Sequence, residues 1–137
     1  MTRVEHIGIA VNDVDALASL LNSLLGLRIY KTETVEREGV RTHFLDGGGA
    51  KIELLESLAD DSPVGRFLEK RGQGVHHIAF EVHDVQETID RGRELGLQPL
   101  TDHALEGADG KRIAFFHPRD TYGILIEVCE TVAFSKG

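Results

Sequence analysis

The sequence predicts an α+β fold of two tandem βαβββ modules, and three observations carry that prediction. HIGIAVNDV, starting at His6, returns as HIAFEVHDV, starting at His77. Each copy runs into a helical stretch that stops at a Gly-Leu pair, Gly26-Leu27 in the first half and Gly96-Leu97 in the second. Three short segments of strand character, divided by turn residues, then follow each helix.

Module one covers about 3–57. Its first strand is VEHIGIAV. The helix that follows is capped at Asn12 or Asp13, stops at Gly26, and has an apolar stripe at Leu17, Leu20, Leu21, Leu24 and Leu25. LRIYKTETV, VRTHFLD and AKIELLES are its remaining strands, turned at Glu38-Gly39 and at Gly47, Gly48 and Gly49. A linker helix of about 62–71 carries Pro63 in its first turn. Module two covers about 74–130. It opens with GVHHIAFEV, has a helix with a weaker stripe at Val85, Ile89 and Leu95, and ends with LQPLTDHAL, RIAFFHP and GILIEVCE. Pro99 makes LQPLTDHAL an edge or bulged strand. Two such sheets side by side are expected to form a curved mixed sheet around a shared cleft. The tail TVAFSKG is expected to fray or to dock on a partner.

Bulk composition narrows the classes of function. A length of 137 residues suits one domain, 1–137, and 41% hydrophobic with 28% charged residues suits a soluble globular protein. No apolar run is long enough to span a bilayer, and MTRVEHIGIAV lacks the layout of a signal peptide. The single cysteine, Cys129, forms no internal disulfide, so a cytoplasmic location is expected. A formal net charge of -8 argues against nucleic acid as a partner, and no membrane partner is expected. A local cluster of Lys and Arg can still hold a small anion.

Strand parity separates the candidate site residues from the rest. In the first strand Ile7, Ile9 and Val11 form an aliphatic row, with His6, Gly8 and Ala10 opposite. In the repeat Ile78, Phe80 and Val82 form the row, with His77, Ala79 and Glu81 opposite. His77 is thus the counterpart of His6, while His76 aligns with Glu5. The small residues beside each histidine are expected to leave room for something else. In the last strands Glu53 interrupts the row of Ile52 and Leu54, and Glu127 interrupts that of Ile124, Ile126 and Val128. A carboxylate amid aliphatic neighbours needs a cation or a shifted pKa. Two imidazoles and two carboxylates suit a divalent transition ion. Internal symmetry alone also produces matched residues, and it is the competing account.

HIGIAV, GVRTHFLDGGGAKIELLE, SPVGRFLEKRGQGVHHIAFEV, DGKRIAFFHPRD and GILIEV carry a family resemblance. From about His6 to Glu130 the chain resembles the vicinal oxygen chelate superfamily, and within it the methylmalonyl-CoA epimerase family. The resemblance implies paired modules around a metal-binding cleft, with His6, Glu53, His77 and Glu127 as metal ligands. It implies a divalent ion, cobalt being favoured and manganese, nickel or zinc compatible. It also implies an acyl-CoA thioester as substrate and a homodimer. The activity implied is interconversion of the (2R) and (2S) forms of methylmalonyl-CoA, in propionate metabolism, through an enolate. Glu127 and Glu53 are expected to be the catalytic bases. Lys111, Arg112 and Arg119, with Lys70 and Arg71, are expected near the coenzyme A phosphates. Thr42 stands where some members carry a further Glu proposed as a base, and Tyr122 stands where many have a small residue. Two rivals share the fold: glyoxalase I (lactoylglutathione lyase), and a metal-free small-molecule-binding protein. Substrate tests separate the first and elemental analysis the second.

Overall fold

The computed structural model describes residues 2–131. The expectation for the tail falls, beyond Thr131, outside the described residues. Contacts divide the chain into two units, one of His6–His76 and the other of the residues from His77 onward together with those up to Glu5. That division cuts inside the first strand, β1 (Arg3–Ala10), between Glu5 and His6. Near its start, Arg3 Nε reaches Glu81 Oε1 at 2.7 Å, and Glu5 lies 3.8 Å from Lys111 Nζ.

The first unit contains α1 (Val14–Leu25), β2 (Ile29–Val35), β3 (Val40–Asp46), β4 (Lys51–Ser57) and α2 (Pro63–Arg71). Asp13 is the cap of α1, its carboxylate accepting from Ala16 N at 3.0 Å. Gly26 ends the helix with φ 75°, a left-handed conformation that favours glycine. Strands run in the order β2-β3-β4-β1, with β1 parallel to β4 and the other two pairings antiparallel. One face packs Val11, Val14, Leu45 and Leu54 against Leu17, Ala18 and Leu21 of α1. The opposite face packs Ala10, Val40 and Leu55 under Val64, Phe67 and Leu68 of α2. Ser62 caps α2, and Pro63 begins it.

The second unit contains β5 (Gly74–Glu81, from His77), α3 (Val85–Glu94), β6 (Leu105–Glu106), β7 (Lys111–Phe116) and β8 (Ile126–Thr131). Its order is β5-β8-β7-β6, again with the first strand parallel to the last and the rest antiparallel. The βαβββ plan is therefore repeated in full. Asp84 caps α3 on Glu87 N, and Glu130 of β8 accepts from Val85 N at 2.8 Å, tying the helix start to the sheet. Among the described residues, no helix is long and apolar enough to cross a membrane.

Several expectations need correction. The α1 stripe is narrower than read, because Leu20, Leu24 and Leu25 are 57%, 69% and 62% exposed. One sheet face takes only the Leu17–Leu21 side of the helix. LQPLTDHAL is not a strand before its last residue, Leu105. Pro99 makes one isolated bridge to Phe116, and pairing resumes only at Leu105–Glu106. The proline has no N–H for the ladder, so this edge stays short. Ile124 precedes β8 and is 49% exposed, so it is not part of the aliphatic row. The small residues Ala10 and Ala79 are fully buried, while Ile7, Ile9, Ile78 and Phe80 are only partly so. The small-residue rows are thus packed, Ala10 under α2 and Ala79 with Ile113 and Cys129.

Two predictions follow from the second unit's packing. Gly92 lets α3 approach β7, because a Cβ there would meet Phe116 Cζ at 2.8 Å and Cε1 closer still. Gly92→Ala gains about 1 kcal/mol in helix propensity. It collides with a ring that is only 4% exposed, and overpacking costs about 1–3 kcal/mol. Net destabilisation is expected, read as a lower urea midpoint; an unchanged or raised midpoint contradicts the close approach. Burial pushes the Cys129 thiol up to about 12, with Glu127 and Glu5 acting the same way and Lys111 opposing. A thiol reagent at pH 8 should therefore label the native chain about a hundredfold or more slower than the unfolded one. Because the folded value is raised, Cys129's contribution to stability is full below pH 9.0 and is lost as pH rises towards 12. Rapid native labelling rules this environment out.

Candidate active site

In each unit the candidate histidine and glutamate lie in contact with one another. In the first, His6 Nδ1 lies 3.2 Å from Glu53 Oε2, each side chain 6% exposed. In the second, His77 Nε2 lies 3.1 Å from Glu127 Oε1, at 7% and 5% exposure. Pairing the first strand in parallel with the last creates this contact. The ladder sets Gly8 opposite Glu53 and Ala79 opposite Glu127, with each histidine two residues earlier on the same face. A carboxylate this deeply buried is costly unless an ionic or hydrogen-bonding partner meets it, and the imidazole does so.

On the other side of each glutamate stands an aromatic ring. Phe44 is the partner of Glu53 across β3–β4, and Phe115 is the partner of Glu127 across β7–β8. Phe115 meets the His77 ring edge-on at 5.8 Å. The two phenylalanines occupy matching places in VRTHFLD and RIAFFHP, a signal that a search for polar residues passes over. Thr42 lies on the same face as Glu53 and is 2% exposed, so its hydroxyl is part of the packed wall.

His76 turns away from the pair, as parity predicts, and packs edge-on against Phe67 of α2 at 5.0 Å. His43 joins a separate polar group, 3.1 Å from Thr32 Oγ1 and 3.0 Å from Glu56 Oε1. His117 accepts from Arg119 N and so caps the turn after β7. Three of the five cations expected near phosphates, Lys111, Arg112 and Arg119, have partners within the protein. Lys111 is largely buried, with Nζ 2.7 Å from Thr131 Oγ1 and 3.8 Å from Glu5. Arg112 is half-exposed, 3.7 Å from Glu130. Arg119 donates to Gln98 Oε1 at 2.7 Å and is 64% exposed. A groove of about 520 Å³ in the first unit is lined by Glu56, Asp60 and Glu69 among others, and by none of the predicted site residues.

Comparison with known proteins shows the family. Residues 5–115 match the Glyoxalase/Bleomycin resistance/Dioxygenase superfamily model. Uncharacterized protein YqjC of Bacillus subtilis is 44% identical over 95% of this chain and 93% of its own. The ethylmalonyl-CoA/methylmalonyl-CoA epimerase of Cereibacter sphaeroides is 38% identical over 92% of this chain and 96% of its own. A solved methylmalonyl-CoA epimerase in complex with methylmalonyl-CoA and NH4+ is 40% identical, covers 97% of this chain and 96% of that one, and superposes with a TM-score of 0.90. With its repeated βαβββ plan and buried His–Glu pairs, the chain belongs to the methylmalonyl-CoA epimerase family of the glyoxalase/bleomycin resistance/dioxygenase superfamily.

Proposed function

We propose that this chain is an isomerase that interconverts the (2R) and (2S) forms of methylmalonyl-CoA. One observation carries the reading: a buried His–Glu pair repeated at matched positions, in a chain 38% and 40% identical to epimerases of this substrate. The solved relative with methylmalonyl-CoA supports a thioester of coenzyme A as ligand. Inversion needs a proton to leave one face of the carbon between thioester and carboxylate, and a proton to return on the other. Two bases are required, and Glu53 and Glu127, one from each repeat, are the residues assigned to that work. His6 and His77 orient their carboxylates at 3.2 and 3.1 Å. With threonine at position 42, the pair of glutamates carries both directions of the reaction.

The same four side chains, His6, Glu53, His77 and Glu127, are proposed to hold a divalent ion, and the first three are buried residues of types that could do so. When bound, such an ion supplies Lewis-acid stabilisation to the oxygen that takes up negative charge as the proton leaves. Lys111, Arg112 and Arg119 are proposed to face the coenzyme A phosphates. Cobalt as the ion, a homodimer, a cytoplasmic location and a place in propionate metabolism complete the reading, supported by the family resemblance and the single cysteine.

Proton NMR of methylmalonyl-CoA in deuterated water tests the proposal. The α-proton is expected to exchange in the presence of protein and to stop doing so when a chelator is added. Glu127→Gln should abolish exchange while most of the metal, measured by elemental analysis, stays bound. Normal exchange in that variant contradicts the assignment of Glu127. Turnover of a glutathione hemithioacetal instead of the thioester would make the chain a glyoxalase.

A further inference from the structure

We infer that Phe115 is a positioning residue, whose ring fixes the plane of the His77 imidazole and so the direction of its nitrogen lone pair. The two ring centroids are 5.8 Å apart and their planes stand at 88°. This is the edge-to-face arrangement that aromatic quadrupoles favour. A histidine ring has a broad preference about its last torsion, so its plane is not set by the side chain itself. The contact of Nε2 with Glu127 Oε1 at 3.1 Å locates one nitrogen but leaves the plane open. Phe115 supplies a contact that depends on the plane. It is the partner of Glu127 across β7–β8, so strand register sets its side chain on the face that carries the pair.

The hydrophobic core around β7 is filled by other residues of the strand. Ala114 and Phe116 are buried with Val85 and Ile89 of α3, and Ile113 is buried with Ala79 and Cys129. Phe115 stays half-buried and rests against the cluster of Ala79, Ile113 and Cys129. That cluster gives the ring a fixed backing, and the imidazole lies within edge-to-face reach of it. The other repeat places the same residue type at the matching position, since Phe44 is the partner of Glu53 across β3–β4. Two of the six phenylalanines in the chain therefore stand opposite the two site glutamates. Aromatic residues make up only 6% of the chain, so a general demand for bulk does not account for that placement.

This inference deepens the epimerase reading and rests on its assignment of His77 as a metal ligand. An imidazole binds a metal through a lone pair in the ring plane, and losing a contact that orients such a ring costs about tenfold or more in affinity. The test is calorimetric titration of cobalt into the metal-free protein, with the mobility of the His77 ring read by NMR relaxation before metal is added. Phe115→Leu and Phe115→Met keep apolar bulk and remove the aromatic ring. Each should loosen the His77 ring and weaken cobalt binding by about tenfold or more. Phe115→Tyr keeps the ring and should bind cobalt nearly as wild type does. Phe116→Leu, one residue on in the core beneath α3, should lower the urea midpoint and leave both readouts unchanged. Unchanged ring mobility or unchanged cobalt affinity in Phe115→Leu and Phe115→Met overturns the inference. An equal loss of affinity in Phe116→Leu would mark a general effect of packing and overturns it too. A wild type that binds no cobalt overturns the metal assignment, and the inference falls with it.

Discussion

Parallel pairing of the first strand with the last is the constraint on which the chemistry of each unit depends. It sets a histidine from one strand diagonally beside a glutamate from another, separated in sequence by nearly a whole βαβββ module. Gly8 stands opposite Glu53 and Ala79 opposite Glu127 in these ladders. An antiparallel return of the last strand would reverse its direction and give a different diagonal. The helix between the first two strands follows from the same pairing, since parallel strands need a crossover.

Around these pairs the packing is asymmetric in composition though not in plan. In the first unit α2 covers Ala10 and Leu55, so the sheet face that carries His6 and Glu53 is partly closed by the linker helix. In the second unit Ala79 and Cys129 pack with Ile113 on the corresponding face. Each glutamate is thus enclosed on three sides, by its histidine, by a small residue and by a phenylalanine. Burial of this kind strengthens electrostatic interactions and keeps the carboxylates from being simply hydrated. Two buried carboxylates are costly for folding, and the imidazole beside each offsets part of that cost.

Much of this was legible in the sequence, for identifiable reasons. The echo of HIGIAVNDV in HIAFEVHDV marked the duplication, and strict alternation distinguished His77 from His76. Glu53 and Glu127 could be picked out because a carboxylate in an aliphatic strand contradicts its neighbours. The cap of α1 at Asn12 or Asp13 and its stop at Gly26 were equally readable, since their chemistry is local. Less legible were the width of the buried stripe on α1 and the fate of LQPLTDHAL. Leu20, Leu24 and Leu25 have the spacing of core residues, yet burial depends on how many neighbouring elements reach the helix. The lysines over Phe44 were also hidden, because three strands must pair before they meet.

What the sequence determined by itself is the repeated plan and the identity of the polar residues, because periodicity, capping and strand parity act over a few residues. The tertiary structure decided which of those residues are spent on one another. Lys111 is held by Glu5 and Thr131, His43 by Thr32 and Glu56, and the ammoniums of Lys31 and Lys51 are drawn to one ring. Those assignments follow from strand register, which brings together residues far apart in the chain and is set by the packing of whole faces rather than by any local pattern.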